Sequence, residues 1–266
     1  MKKIFKIIGI ILLIFVAILV AIPFVLESKI DAIVQNYADK NINAKVEFDD
    51  VSLSLISSFP NAKVTINNLT ITNNEPFKGE VFTTAKSIGL KMAIKELFKN
   101  QEDEPIAITS VSIDEALMTL KENTTGSSNW DIFKTKTNEN TRAYSAESSG
   151  FKINIEDYTI DNSALTYIDE SSNTTVYITN LNHSGNAKFT DVVSELNTTS
   201  EADVSLSIDS TSYLENNHVT LDALIDLNLK SNTYTFKENK GFINQLPLEF
   251  NGFVQLKDEG QLIDIS

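Results

Sequence analysis

The order of apolar and polar positions first points to a membrane-spanning helix. The twenty residues from Ile7 to Leu26 contain no charged side chain. A helix rises about 1.5 Å per residue, so this segment matches the roughly 30 Å hydrocarbon core of a bilayer. A cleaved signal peptide usually has a shorter apolar stretch, about 7–15 residues, and ends in an A-x-A-like site. The pattern therefore predicts a retained transmembrane anchor over residues 1–26.

Charges on either side of this segment predict its orientation. Lys2, Lys3 and Lys6 precede the apolar stretch, whereas Glu27 follows it. Because lysine and arginine remain on the cytoplasmic side of a single-pass protein, we expect a cytoplasmic N-terminus. Everything after Leu26 is then expected outside the cytoplasm.

A short amphipathic helix is predicted directly after the anchor. Between Glu27 and Asn41, apolar residues recur at helical spacing. Beyond Asn43 the period changes to two, which is typical of strands with one buried face. The alternation slips at Asp49-Asp50 and again at Asn67-Asn68, where we expect a turn or a bulge. Residues 27–133 are thus predicted to be a β region that includes one or two short helices.

The second half of the chain continues this strand pattern. Residues 134–150 are rich in Thr, Asn, Ser and Glu, which predicts a flexible loop. Residues 151–266 are predicted to continue the sheet. The clearest alternation places two sets of residues on one face each: Leu221, Ala223, Ile225, Leu227 and Leu229, and then Leu246, Leu248, Phe250, Gly252, Val254 and Leu256.

One short segment recurs faintly along the chain. Ile108–Asp114 reads ITSVSID, and Ile155–Asp161 reads IEDYTID. Each copy ends in an Ile-Asp pair and leads into another strand that contains leucine. This similarity predicts a repeated supersecondary unit.

Composition narrows the possible chemistry. The chain has no cysteine and a formal net charge of −14, which disfavours nucleic acid as a partner. Its two histidines, His183 and His218, lack metal-ligand spacing and are predicted to be polar residues of loops or strand edges. No nucleophile elbow, calcium loop or phosphate loop occurs, so we expect neither catalysis nor a cofactor nor a metal.

The only tryptophan lies in a distinctive segment, Gly126–Phe133, with the sequence GSSNWDIF. Glycine allows a chain reversal, and Asn and Asp favour turns. Trp130 and Phe133 are predicted to be buried at the end of a sheet, a role we favour over direct ligand contact.

Several segments, in this order along the chain, resemble the AsmA family. They are Asn43–Leu55 followed by Phe59-Pro60 and Val64–Ile71, then the turn Gly126–Asp131, which is similar to that family's Gly-x-x-Asn-Trp turn, and finally Leu165–Asp169 with Val176–Asn182. The resemblance extends from the predicted anchor to about Lys188.

This resemblance implies a mainly β fold: an N-terminal transmembrane helix and an extended, curved, antiparallel sheet that forms an apolar groove. The family is related to bridge-like lipid-transfer proteins with chorein-type N-termini. It implies a single-pass inner-membrane protein, with its bulk in the periplasm, that acts in outer-membrane biogenesis. The inner membrane, phospholipid and envelope proteins are the implied partners. The chain is shorter than larger relatives, which fits a truncated sheet.

Under this interpretation, the last long strand supplies the groove lining. Leu246, Leu248, Phe250, Val254 and Leu256 are expected to contact acyl chains, whereas no contact is assigned to Ile225. The same alternation also fits a closed, protein-filled core. In that alternative, the protein is an anchored scaffold or interaction module without a lipid ligand.

Overall fold

A computed structural model describes residues 30–55, 57–98, 106–134, 151–188, 194–228, 230–257 and 260–266. The predicted anchor over residues 1–26 and all but the first residue of the predicted loop over 134–150 lie outside these ranges. Among the helices that the structure describes, none is long and apolar enough to cross a membrane.

The described chain is mainly β. Residues 30–41 form helix α1, in agreement with the predicted amphipathic helix, and Ile94–Phe98 forms a 3-10 helix. The strands are β1 (Ala44–Glu47), β2 (Asp50–Ser54), β3 (Asn61–Asn73), β4 (Val81–Ala93), β5 (Ile106–Glu122), β6 (Phe151–Asp169), β7 (Thr174–Lys188), β8 (Ser194–Ile208), β9 (Thr211–Asn228), β10 (Thr233–Ile243), β11 (Leu246–Lys257) and β12 (Gly260–Ile265).

All twelve strands belong to one sheet. From β3 to β12 the strands follow one another in chain order, while β1 and β2 both pair with β3. Phe48 and Asp49 separate the two short strands, which agrees with the slip predicted at Asp49-Asp50. Neighbouring strands are antiparallel with one exception, since β5 and β6 are parallel. The expectation of a purely antiparallel sheet is therefore wrong at this pair, whose long connection allows the crossover that parallel strands require.

The parallel pair explains the faint internal repeat. Ile113 lies opposite Ile160, and Asp114 lies opposite Asp161, so the two copies are neighbours in matching register. Glu115 and Asn162 follow at equivalent places and both have a left-handed backbone, with φ of 49° and 51°. The repeat thus consists of two adjacent, similarly bulged strands.

Other interruptions of the alternation are also bulges within long strands. Asn68 has a φ of 50° in the middle of β3, which remains continuous across the slip predicted at Asn67-Asn68. Asn180 in β7 and Asn216 in β9 have the same backbone conformation. Asparagine tolerates this conformation better than most residues, and a bulge bends its strand. Strand curvature is thus favoured at several places across the sheet.

Candidate functional site

The strand pairing collects the apolar side chains of consecutive strands on one side of the sheet. A single row of directly paired positions crosses β3 to β11 on this side, which we call the apolar face. The row runs Ile66, Ile88, Ile113, Ile160, His183, Ser200, Leu221, Gly241 and Leu248. The opposite side, the polar face, presents mainly Thr, Ser, Asn and charged residues.

Helix α1 and the 3-10 helix cover the apolar face at the first strands. Ile30 on α1 is 5% exposed and shares a core with Val51, Leu53 and Val64. The amide N–H of Val51 also donates to Asp31 Oδ1 at 2.8 Å, which fixes the start of the helix against β2. This end of the sheet therefore has an ordinary two-layer core.

The segment that follows β5 covers a second part of the same face. Ile132 is 6% exposed and lies in a core with Leu69, Ile71 and Ala116, against which Trp130 packs. Together with α1, this segment closes the apolar face of β1 to β5 with the chain's own side chains.

From β6 onward, the described chain places no such layer on the apolar face. The fully buried hydrophobic residues in this described part of the chain are three alanines: Ala187, Ala202 and Ala223. The leucine, isoleucine, valine and phenylalanine side chains whose burial the structure describes there are half-buried or exposed. Large apolar side chains are thus aligned across several strands without a protein layer over them, which is typical of a binding surface.

Over β7 to β11, the paired positions on the uncovered part of the apolar face have no formal charge. Where the register of β7 to β11 assigns a residue to this face, the residue is never Asp, Glu, Lys or Arg. The one histidine in these positions is His183, and burial lowers the pKa of its imidazole, which favours the neutral form. Such a surface suits an uncharged, apolar ligand.

The candidate lining residues lie on this face. Leu246 and Leu256 are 66% and 45% exposed, whereas Leu248, Phe250 and Val254 are half-buried. Their contact with lipid stays a prediction. Ile225, to which the sequence assigned no contact, lies on the same face. It is the direct neighbour of Phe236, whose ring centroid is 5.7 Å from that of Phe250.

Comparison with known proteins agrees with this architecture. The AsmA family matches residues 1–247. The chain belongs to the AsmA family. No curated protein and no solved structure matches it. The match extends beyond Lys188, where the resemblance of the sequence segments ended, and it includes all of strands β1 to β10.

In this AsmA-family chain, the Asn-Trp turn is an attachment point for the covering segment. The Asn129 side chain is 1% exposed, accepts from Lys121 N at 2.8 Å and donates to Thr119 O at 2.7 Å. It thereby occupies backbone groups of β5 that a neighbouring strand would otherwise use. Trp130 is half-buried rather than fully buried, and its ring centroid lies 6.3 Å from that of Tyr167.

One expectation for this turn is wrong. Phe133 is 54% exposed, and Ile132 is the buried residue instead. Phe133 bridges to Ile42 through the backbone, which turns its side chain away from the core. A change of one position reverses the face of an extended segment, so the sequence alone could not select between these two neighbours.

The histidines also differ from their predicted surroundings. Both lie inside strands, His183 in β7 and His218 in β9. His218 is on the polar face, with Nδ1 at 3.1 Å from Asp203 Oδ1. His183 is on the apolar face and lies between two hydroxyl groups, those of Tyr158 and Ser200. Within the described residues, no cluster of metal-ligating side chains includes either histidine.

Most residues of the uncovered face were not among the residues predicted to line a groove. Strands β7 and β8 add Val176, Ile178, Val204 and Leu206 to it by direct pairing. Their alternation is present in the sequence but is diluted by Thr, Ser and Asn on the polar face. Only the pairing of neighbouring strands reveals that these short apolar sets form one surface.

Proposed function

We propose that this AsmA-family chain is a membrane-anchored periplasmic protein of outer-membrane biogenesis that handles or transfers phospholipid along the uncovered apolar face. The observation that supports this proposal is the apolar face of β6 to β11, which is uncharged over β7 to β11 and has no layer of described chain on it. Acyl chains are the ligands whose chemistry best matches such a surface, because they offer apolar area and no charge.

The dimensions of the uncovered face fit an acyl chain. Neighbouring strands are about 4.8 Å apart, so β6 to β11 extend for roughly 24 Å across the sheet. One leaflet contributes about half of the roughly 30 Å hydrocarbon core. A phospholipid tail can therefore lie across several strands with its head group in water at the rim.

The polar face makes the sheet two-sided. In β8 and β9 this face includes Asp203, Asp222 and Asp226, and Asp203 accepts a hydrogen bond from Asn180 at 2.7 Å. Carboxylates on this side remain hydrated while the apolar face holds hydrocarbon. Such a sheet can separate lipid from the aqueous periplasm without enclosing it completely.

The predicted anchor would hold the sheet close to the inner membrane. A single span over residues 1–26 with a cytoplasmic N-terminus would place the sheet in the periplasm, next to the inner membrane from which lipid is drawn. Alkaline phosphatase fused after Asn100 should be active. Inactivity there, combined with activity of a cytoplasmic reporter at the same position, would reverse the proposed topology.

Site-specific photocrosslinking tests lipid contact directly. A benzophenone amino acid at Leu248, on the apolar face, should form adducts with phospholipid in cells. The neighbouring residue Glu249 points to the polar face and is the matched control on the same strand. Lipid adducts at Leu248 but not at Glu249 are the expected result.

Two other outcomes would contradict the proposal. Equal yields at both positions would mean that the reagent samples bulk membrane rather than a bound lipid. A protein adduct at Leu248 in place of lipid would support the scaffold alternative, in which a partner protein covers the apolar face.

A further inference from the structure

A hydrogen-bonded group of three side chains interrupts the uncovered apolar face. Tyr158 Oη is 2.8 Å from His183 Nε2, and His183 Nδ1 is 2.8 Å from Ser200 Oγ. We call Tyr158, His183 and Ser200 the polar relay. It crosses β6, β7 and β8 and lies in the middle of the sheet, where the row of isoleucines from the covered half ends.

The position of the tyrosine is set by a glycine. Gly185 is directly opposite Tyr158, and a Cβ at Gly185 would come within 2.6 Å of three atoms of the phenol group. The absence of a side chain therefore lets the ring lie across β7 and brings its hydroxyl to His183. The centroids of the tyrosine and histidine rings are 5.3 Å apart.

The polar relay has one more hydrogen-bond donor than its two internal hydrogen bonds use. At neutral pH each of the three side chains has one O–H or N–H hydrogen, because burial lowers the pKa of His183 and raises that of Tyr158. The two hydrogen bonds of the relay use two of these hydrogens. Whichever histidine tautomer is present, one hydroxyl hydrogen is left over, either on Ser200 or on Tyr158.

This donor matters once hydrocarbon covers the face. Water can satisfy it when the face is empty, but a bound acyl chain displaces that water, and an unpaired donor in an apolar environment is costly. A bound lipid avoids this cost if it brings an acceptor to the same place. Because the paired positions of β7 to β11 on this face include no lysine or arginine, the relay does not favour an anionic phosphate there.

We propose that the polar relay binds the ester carbonyl oxygen of an acyl lipid and so positions the glycerol end of that lipid on the apolar face. This inference rests on the proposed lipid-handling function and adds a chemical preference to it. A diacyl phospholipid supplies the carbonyl acceptor, whereas a dialkyl ether phospholipid of the same head group and chain length does not.

The preference can be measured on the full-length protein in detergent. The delipidated protein is incubated with equal amounts of dioleoyl phosphatidylethanolamine and its dioleyl ether analogue, and lipid that coelutes in gel filtration is quantified by mass spectrometry. One neutral hydrogen bond predicts a preference for the ester lipid of about three- to tenfold.

A triple variant removes every donor of the relay: Tyr158→Phe, His183→Phe and Ser200→Ala. It should still bind both lipids but lose the preference for the ester. The matched control makes the same three changes on the polar face, Tyr177→Phe, His218→Phe and Ser184→Ala, and should keep the preference. These control positions lie on the opposite side of neighbouring strands.

The possible outcomes separate this inference from the proposed function. Retention of both lipids by the wild-type protein in equal amounts overturns the carbonyl site but leaves lipid handling intact. Retention of neither lipid overturns both. The comparison within the wild-type protein does not depend on the folding of any variant, so it decides the question even if the triple variant is unstable.

Discussion

The first region, strands β1 to β5, and the second region, strands β6 to β12, belong to one sheet and show the same alternation of apolar and polar positions, but they differ in the layer that the described chain places against them. In the first region, α1 packs on Leu53 and Leu55, and the segment after β5 packs on Leu69 and Ile71; all four side chains are buried. In the second region, only alanines are fully buried among the described hydrophobic residues. The alternation of apolar and polar residues therefore identifies an apolar face but does not specify what covers that face.

A glutamate introduced into the first region should destabilise the fold, whereas a glutamate on the uncovered face of the second region should not. This difference is the largest effect we expect. Leu53→Glu places a carboxylate in a closed core and should cost more than about 4 kcal/mol, a large part of the roughly 5–15 kcal/mol that stabilises a typical native protein. Phe250→Glu lies on the uncovered face and should leave a cooperative unfolding transition while reducing copurified lipid. Thermal unfolding of the full chain measures the stability of each variant, and mass spectrometry measures its copurified lipid.

A control for this comparison lies on the next strand. Phe242 is 52% exposed on the polar face of β10, so Phe242→Glu should change neither folding nor lipid content. Unfolding of the Phe250→Glu variant, with no lipid on the wild-type protein, would instead show that a protein layer covers both regions.

Truncation of a leucine gives a smaller difference of the same kind. Leu55 is 2% exposed, so Leu55→Ala should cost about 2–5 kcal/mol through lost burial and a residual cavity. Leu248 is half-buried, and Leu248→Ala should cost less than about 1 kcal/mol. Chemical denaturation in a fixed detergent compares the two variants. Equal costs would contradict the distinction between the covered and uncovered regions.

Loss of the covering segment should be detectable at its attachment point. Asn129→Ala removes two buried hydrogen bonds to β5 and should lower the free energy of unfolding by about 1–3 kcal/mol. Trp130 is the only tryptophan, so its emission reports on this segment alone and should shift to the red. Thr124→Ala, at an exposed position of the same turn, is the control and should leave emission unchanged.

The smallest effect concerns pH. Because burial lowers the pKa of His183 in the folded state, the unfolded chain binds a proton more readily. Stability from this residue is present at neutral pH and is lost as the pH falls through the unfolded pKa near 6.5 and on toward the lower folded value. Melting temperatures between about pH 7.5 and 5.5 should therefore decrease less steeply in His183→Phe than in the wild type. Identical slopes would show that the apolar face does not desolvate His183.

Much of the local structure could be predicted from particular residues. The spacing of Ile30, Val34 and Ala38 indicates α1, and the slip at Asn67-Asn68 marks a left-handed residue within β3. The alternation from Leu246 to Leu256 correctly places these side chains on one face. These features depend on backbone preference and side-chain direction within a few residues, which a single segment of sequence already specifies.

The candidate site was less predictable, because it arises from contacts between distant segments. The parallel pairing of β5 and β6 depends on a crossover. The polar relay brings together residues from three strands, of which the sequence singled out only His183.

What the sequence determined by itself is the β class, the two faces of each strand and the family, while the anchor over residues 1–26 stays a prediction. Only the tertiary structure decided which parts of the apolar face are covered. The period-two pattern depends only on the residues of one strand, which point to alternate faces. Burial of the apolar face requires a second layer from elsewhere in the chain. Ile30 and Ile132 supply that layer for the first strands. No described residue supplies it for Phe250, and that difference is the physical basis of the proposed lipid site.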